Sequence, residues 1–589
     1  MKERKADSVL ISKLFFRLLP IQVLLCVVNS VNGIVSSLFA SNCVGQDSMS
    51  AIGLYWPLNM FIGAIAGLLM GGGQIMCGLY MGQNRQDRTR NVFSWDMVIS
   101  TGFGLLMTAL VLGAAFFGTG IFTADPAVQK ELRGYLLGQA VGVLPLVLSQ
   151  QFSAFLSLEN KARRTTTAGV VYIVVNLVLN YLFVVVLGLG TFGLALASSL
   201  GMWVFVAVQV QYYFSGKSLF RLFRKPSGLK DFRDILIKGY PGALSNIYQT
   251  VRGLIVNALI LAYVGNVGIS AFTASDSVLR IIWGFPAGVV AVSRMLMSIS
   301  VGEEDRKSLV DAMRVALYRC IPIQCAISAL LIVLAVPLTC LFYRDPSQPV
   351  FQMTVNSFRI MPLCMPLSMI CMHFVCYAQI SGKQFLVHLL SVLDGVVCVA
   401  GFSALLIPLM KMDGNYWSNP LNGIVCALVV LGYSWAVRKR FPRNTEQLMV
   451  VPDDFGVGED ARIDISVRDI SEVMSVSGQV IDFCRSRGID ERRASMSGLF
   501  LEEMAGNVVD HGFTKDQKKH TVDIRVVHKN DDIILRIKDD CTAFDPGERV
   551  SVVDPEDRVK GVGIRMVFRI AKDVKYQNML GLNVVTIRI

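Results

Sequence analysis

Apolar residues fill the chain in long blocks as far as about residue 440, after which the pattern breaks into short helix-periodic and alternating segments. Blocks of roughly 20 apolar residues are long enough to cross the ~30 Å hydrocarbon core of a bilayer at a rise of about 1.5 Å per residue. About twelve spans are expected, centred near Cys26, Ile65, Leu106, Leu146, Val175, Val204, Leu254, Pro286, Leu330, Met369, Val399 and Val429. Beyond Arg438 the sequence turns polar, with Pro442, Pro452, Asp453, Asp454, Glu459 and Asp460 marking a linker. The tail then shows helical periodicity over 466–486 and 492–511. Alternation predicts strands over 521–527, 532–537 and 584–589. The expected division is a membrane domain over 1–440, a linker over 441–463 and an α+β domain over 464–589.

A repeat constrains the membrane part more than any single motif. Residues 51–82 and 271–302 align without a gap, each running from a polar turn through one long apolar stretch to a glycine. The polar loops that follow, Arg85 to Arg88 and Glu304 to Lys307, match in character. Two six-helix halves follow from this, with a substrate site between them.

Composition agrees with the split. The chain is 53% hydrophobic and 17% charged, with a mean hydropathy of +0.52, too apolar for an ordinary soluble enzyme. Its formal charge of +12 is uneven: 35 Lys and Arg stand against 19 Asp and Glu up to Pro452, and 21 against 25 after it. The positive excess therefore belongs to the membrane part, where it anchors loops on the cytoplasmic side, and does not point to nucleic acid. Basic loops at Arg85 to Arg90, 161–164, 217–238, 306–307 and 438–440 place both termini and the tail in the cytoplasm, within a cell membrane. Most of the 13 cysteines lie in apolar runs without metal-ligand spacing. Cys371 and Cys376, with His373 between them, read as helix packing.

Ionisable groups inside the apolar blocks are functional candidates, because each costs about 2.5–3.5 kcal/mol at a span centre unless paired or wetted. They are Asp96, Arg252, Asp276, Arg280, Arg294, Arg359 and Asp394. Asp276 and Arg280 stand at i and i+4 and can pair on one helix face. Asp394 sits at the repeat position matching Asn176 and either carries a coupling proton, binds a cationic substrate or makes a structural polar contact.

The tail carries Glu503, Asn507 and His511 at i, i+4 and i+8, stacked along one helix face, followed by Gly512, then Asp539, then Gly561-x-Gly563 before a helical run. An Asn oxygen suits Mg²⁺ between phosphates, and a Glu one turn earlier can take a proton from an attacking hydroxyl. Asp539 can accept a hydrogen bond from an adenine amine, and Thr586 would finish the adenine end. Glycines before a helix let backbone N–H groups meet phosphates. No Gly-x-x-x-x-Gly-Lys-Ser/Thr loop occurs, so a P-loop pump is disfavoured.

These residues carry two resemblances. Residues 9–440 resemble the multidrug and toxic compound extrusion (MATE) family, best over Asn176 to Asn180, Gly193 to Ala197 and the segments ending at Gly82 and Gly302. That resemblance implies cation-coupled export of organic molecules by rocking of two halves, with Asn176, Asn180, Asp276, Arg280 and Asp394 as transport candidates. The acid often found in the first span of such proteins stands here as Ser36. Residues 464–589 resemble the GHKL ATP-binding fold, and within it the anti-sigma-factor serine kinases, through Glu503 to Gly512. This implies ATP and Mg²⁺ as cofactors, Glu503 as catalytic base, Asn507 as Mg²⁺ ligand, Asp539 as adenine contact and Gly561 and Gly563 as phosphate lid. Where that family has Asp-x-Gly-x-Gly, this chain reads Asp539 to Ala543 without glycine; if either position needs a positive φ, Cys541 or Ala543 would strain the loop by roughly 1–3 kcal/mol. The first functional reading is a transporter regulated by its ATP-binding tail. The second is a membrane sensor whose tail is a serine/threonine kinase acting on a cytoplasmic, anti-anti-sigma-like regulatory protein.

Overall fold

The computed structural model describes residues 9–39, 44, 46–122, 125–216, 218–221, 225–343, 345–467, 469–513, 520–529, 531–548 and 562–589. The apolar blocks form helices throughout. The first half comprises α1 (Val9–Phe39), α2 (Gln46–Gly82), α3 (Gln86–Gly113), α4 (Pro126–Leu158), α5 (Ala162–Asn180) and α6 (Gly190–Tyr213). The second comprises α7 (Leu229–Tyr263), α8 (Asn266–Ile282), α9 (Gly284–Gly302), α10 (Arg306–Arg314), α11 (Ile321–Val333), α12 (Pro349–Ile360), α13 (Cys364–Ser381), α14 (Gln384–Val392), α15 (Cys398–Met410) and α16 (Met412–Arg438). Among the described residues, 11 helical stretches are long and apolar enough to cross a membrane. The twelfth expected span, near Leu254, lies on α7. That helix has 35 residues, but Asn246, Gln249, Arg252 and Asn257 interrupt its apolar run, so it has the length of a span without the hydropathy.

The repeat is visible in backbone detail. α3 and α10, and likewise α5 and α14, each run into a π segment, but at unequal depths, Ala114–Gly118 against Val315–Cys320 and Tyr181–Val186 against Leu393–Val397, so these are not equivalent positions of the repeat. Asn84 and Glu304, each two residues past the aligned glycine, both take a left-handed conformation, at φ 56° and 54°. Arg85 therefore corresponds to Asp305, one position away from the match that residue character suggested. Gly82 and Gly302 lie where the ends of α2 and α9 cross: a Cβ on Gly82 would overlap the Ile299 carbonyl, and one on Gly302 the Leu79 carbonyl. Glycine at both positions lets the two halves meet backbone to backbone.

The tail holds a five-stranded antiparallel sheet in the order β1-β2-β3-β5-β4, from β1 (Arg462–Val467), β2 (Val522–Lys529), β3 (Asp532–Asp539), β4 (Asp573–Met579) and β5 (Leu582–Arg588). Helices α17 (Ile470–Ser486), α18 (Glu491–Asn507) and α19 (Val562–Ile570) complete it. Asp490 caps α18 by accepting from the Arg493 N–H at 3.0 Å. Alternate residues Ile524, Val526, Ile533, Leu535, Ile537, Val585 and Ile587 form one buried core with Val480, Phe500, Leu501 and Met504 of the helices. The other sheet face turns toward the membrane helices: Met579, Leu580, Leu582 and Val584 share a core with Leu10, Ile11 and Leu14 of α1. β1 begins inside the stretch expected as linker, and neither it nor β4 stood out as a strand, since Arg462, Asp464, Lys575, Gln577 and Asn578 interrupt the apolar alternation.

Candidate functional site

α18 brings Glu503 and Asn507 onto one side of the tail's core, one helical turn apart. The Asn507 side-chain amide donates to the Glu503 carbonyl, which turns its Oδ1 outward. The helix widens to π geometry from Val508 to Gly512, so the three-residue stack expected through His511 holds in α-helical phase only to Asn507. The Glu503 carboxylate lies against the start of α19: a Cβ on Gly563 would overlap it. A side chain there would push the Glu503 carboxylate aside, so glycine lets that carboxylate lie against the first turn of α19. Gly561 lies outside the described residues.

Asp539 ends β3 and is buried. Its Oδ1 accepts from the Cys541 N–H at 3.0 Å and from the Asn583 side-chain amide at 2.8 Å. Burial pushes its carboxyl upward, against the lowering effect of these hydrogen bonds. The neighbouring Asp540 accepts from Lys13 Nζ at 2.5 Å and from the Thr521 N–H at 3.2 Å, with His520 Nδ1 at 3.1 Å. Burial raises the Asp540 carboxyl, but Lys13, Thr521 and His520 outweigh it and hold it below its usual range.

Two expectations change here. Neither Cys541 nor Ala543 is among the described residues with positive φ, so the loop after Asp539 carries no left-handed strain from losing its glycines. Thr586 pairs with Arg536, whereas Asn583 pairs with Asp539; by strand alternation Thr586 lies on the opposite sheet face from Asp539. Asn583, rather than Thr586, is the last-strand residue beside Asp539. Its signal was a polar residue in phase with Val585 and Ile587 on the core face of the last strand.

In the membrane part, Asn176 and Asn180 are buried on α5. The Asn180 amide donates to Asn176 Oδ1, and the Asn176 amide donates to Ser198 Oγ at 3.3 Å. Asp276 and Arg280 form the expected i, i+4 pair at 2.6 Å, with half or more of the Arg280 side chain exposed. Asp394, in the π segment after α14, accepts from the Asn422 amide at 2.8 Å, and its carbonyl accepts from Arg252 at 3.2 Å. Its carboxylate, Cys371 and Cys426 place ligand atoms within 4.8 Å of one another, a grouping across three elements that linear spacing does not reveal. His373 bonds the Met369 carbonyl at 2.6 Å and Ser293 at 3.1 Å, a packing role. Asp96 of α3 is fully buried, and both its carboxylate oxygens are without a hydrogen-bond partner among the described residues. The side chain of Ser36 lies outside the described residues.

The MatE family model matches residues 20–182 and 241–398, and a histidine kinase-like ATPase domain matches residues 468–589. Similar solved structures include a MATE in complex with MaL6, at 21% identity over 74% of this chain and 97% of that one, TM-score 0.67. An outward-facing multidrug resistance MATE family transporter of the MOP superfamily gives 21% identity over 74% and 98%, TM-score 0.66. A MOP superfamily transporter from Pyrococcus furiosus, described as having reversed polarity in its binding pocket, gives 21% over 77% and 100%, TM-score 0.66. No curated protein matches the chain.

Proposed function

This chain belongs to the MatE family and ends in a histidine kinase-like ATPase domain, and from that premise we propose that it is a cation-coupled exporter of small organic molecules regulated by nucleotide at its tail. The reading divides the chain into a transport domain over 1–440, a linker over 441–463 and a cytoplasmic nucleotide domain over 464–589. What supports the regulatory half is the packing of Gly563 against Glu503, one turn before Asn507, together with the Asp539–Asn583 pair, which Cys541 links to the end of the same helix by lying against Gly512. Asp539 and Asn583 suit an adenine edge, since a carboxylate accepts and an amide offers both roles. Asn507 Oδ1 would hold Mg²⁺ and the start of α19 the phosphates. When bound, Mg·ATP supplies a transferable phosphoryl group whose charge the metal neutralises.

Asn176, Asn180, Asp276, Arg280 and Asp394 are the transport candidates. Asp394 has the strongest support of these, lying in a π segment with polar partners on two other helices, a local geometry frequent at functional sites.

Glu503 favours a second reading. A carboxylate held against the phosphate-side glycine is placed to take a proton from a hydroxyl nucleophile, as a serine/threonine kinase acting on a cytoplasmic regulatory protein requires. Full-length protein in nanodiscs tests both. Calorimetric titration with Mg·ATP should show binding that falls at least tenfold in Asn507→Ala and persists in Glu503→Ala. Absence of binding to wild type at millimolar Mg·ATP would overturn the nucleotide reading.

A further inference from the structure

Only one face of the ATPase sheet is covered by its own helices. The other meets the membrane body at the turn Glu303-Glu304-Asp305 between α9 and α10. Lys538 Nζ lies 2.5 Å from Glu303 Oε2 and 3.6 Å from Asp305 Oδ2. Lys529 Nζ lies 2.5 Å from Glu304 Oε2, and Arg536 Nη1 lies 3.9 Å from Glu303 Oε2. Arg525 pairs with Asp305. Arg525 and Arg536 also donate to the Glu304 and Glu303 carbonyls, each at 3.4 Å. Four cations of β2 and β3, all on the helix-free face, thus meet three consecutive carboxylates. Glu303, Asp305, Arg525 and Lys538 are buried by the contact, which limits screening by salt. Asp305 does a second task, capping α10 through the Ser308 N–H at 3.0 Å and hydroxyl at 2.8 Å.

The equivalent turn of the first half, Gln83-Asn84-Arg85, shares the backbone conformation and has no acid. The sheet face, itself basic, is matched in charge by the second turn and not by the first. The contact also sits where the halves cross at Gly82 and Gly302, and an apolar margin of Leu580, Leu582 and Val584 against Leu10 and Leu14 flanks it.

We infer that the helix-free sheet face is a docking surface whose partner is the acidic turn after α9, fastening the ATPase domain to the second half at the junction of the two halves. The inference deepens the regulatory reading and rests on it for its consequence: a domain fastened to this turn of the second half, and packed against α1 of the first, bridges the junction that must open for rocking. A second copy of this chain or a regulatory protein must then approach the domain from its helical side.

Pulsed electron-electron distance measurements on full-length protein in nanodiscs test this, with bio-orthogonal spin labels at exposed positions Met474 and Lys439. Wild type should give one narrow distribution. Glu303→Lys with Asp305→Lys should at least double its width, as should Arg525→Glu with Lys538→Glu, and the four changes combined should narrow it again. Unchanged widths in both reversed variants would overturn the docking. Failure of the combination to narrow it would overturn charge matching as the cause. Mg·ATP binding measured on the same samples is a separate readout: wild type that docks yet binds no nucleotide keeps this inference and removes the regulatory reading.

Discussion

The turns after Gly82 and after Gly302 share a backbone and differ in chemistry. Both leave a helix through the same crossing, both place their second residue at a φ near 55°, and both lead into a helix that later widens to π geometry. One reads Gln83-Asn84-Arg85 and the other Glu303-Glu304-Asp305. A duplicated scaffold fixes where the chain goes, and a handful of side chains then decides which copy engages another domain. The asymmetry of this molecule rests on those charges.

The comparison breaks most severely at Asp305. Removing it in Asp305→Ala takes the nearest carboxylate from the buried Arg525, while Lys538 keeps Glu303, a loss of up to about 3–5 kcal/mol; two-step thermal unfolding, with the ATPase domain released first, is the expected result by calorimetry. The mirror change Arg85→Ala should leave a single transition. Next comes the shared backbone. Gly82→Val and Gly302→Val each force a side chain into a facing carbonyl, so both should lower stability by about 1–3 kcal/mol and to the same extent. Unequal losses would contradict the symmetry of the crossing.

Within the ATPase domain the contrast lies between Asn583 and Thr586. Asn583→Ala leaves the buried Asp539 with one partner fewer, and a loss of about 1–3 kcal/mol is expected, read as roughly a tenfold or greater weakening of Mg·ATP binding. Thr586→Ala, on the other sheet face, should leave that affinity unchanged. Lys13→Ala removes a pair whose lysine is 42% exposed, so its effect on docking should stay within about 0.2–1 kcal/mol.

The smallest effect concerns pH. Burial raises the Asp305 carboxyl, but Arg525, Lys538 and the Ser308 donors more than reverse this and hold it well below the usual carboxylate range. A depressed folded value stabilises above the unfolded value of about 3.9, and the contribution is lost as pH falls from there through the folded value. The Asp305 charge is thus constant between about pH 5 and 8, beside Glu303 on the same turn and Arg525 and Lys538 across the interface. The label distance should therefore not change over that range.

Much of this was legible in the sequence. The apolar blocks, the 51–82 and 271–302 repeat and the Glu503 to Gly512 motif each depend on near neighbours or on a fixed internal period, which a linear reading captures. What escaped it depends on long-range pairing. β1 and β4 carry too many polar residues to alternate visibly, and become strands because β2 and β5 supply partners. Asn583 meets Asp539 across 44 residues, and Lys538 meets Glu303 across 235. The grouping of Cys371, Asp394 and Cys426 likewise needs three helical elements to be brought together. Thr586 stands three residues from Asn583, and any odd offset along a strand puts a side chain on the other face of the sheet.

The most direct test of the account is export of an organic cation, ethidium, from proteoliposomes holding the full-length protein, with and without Mg·ATP on the side of the ATPase domain. The account predicts an export rate that changes at least threefold with Mg·ATP in wild type and does not respond in Asn507→Ala. Export at the same rate with and without Mg·ATP, in wild type shown to bind it, would contradict regulation of transport by the tail.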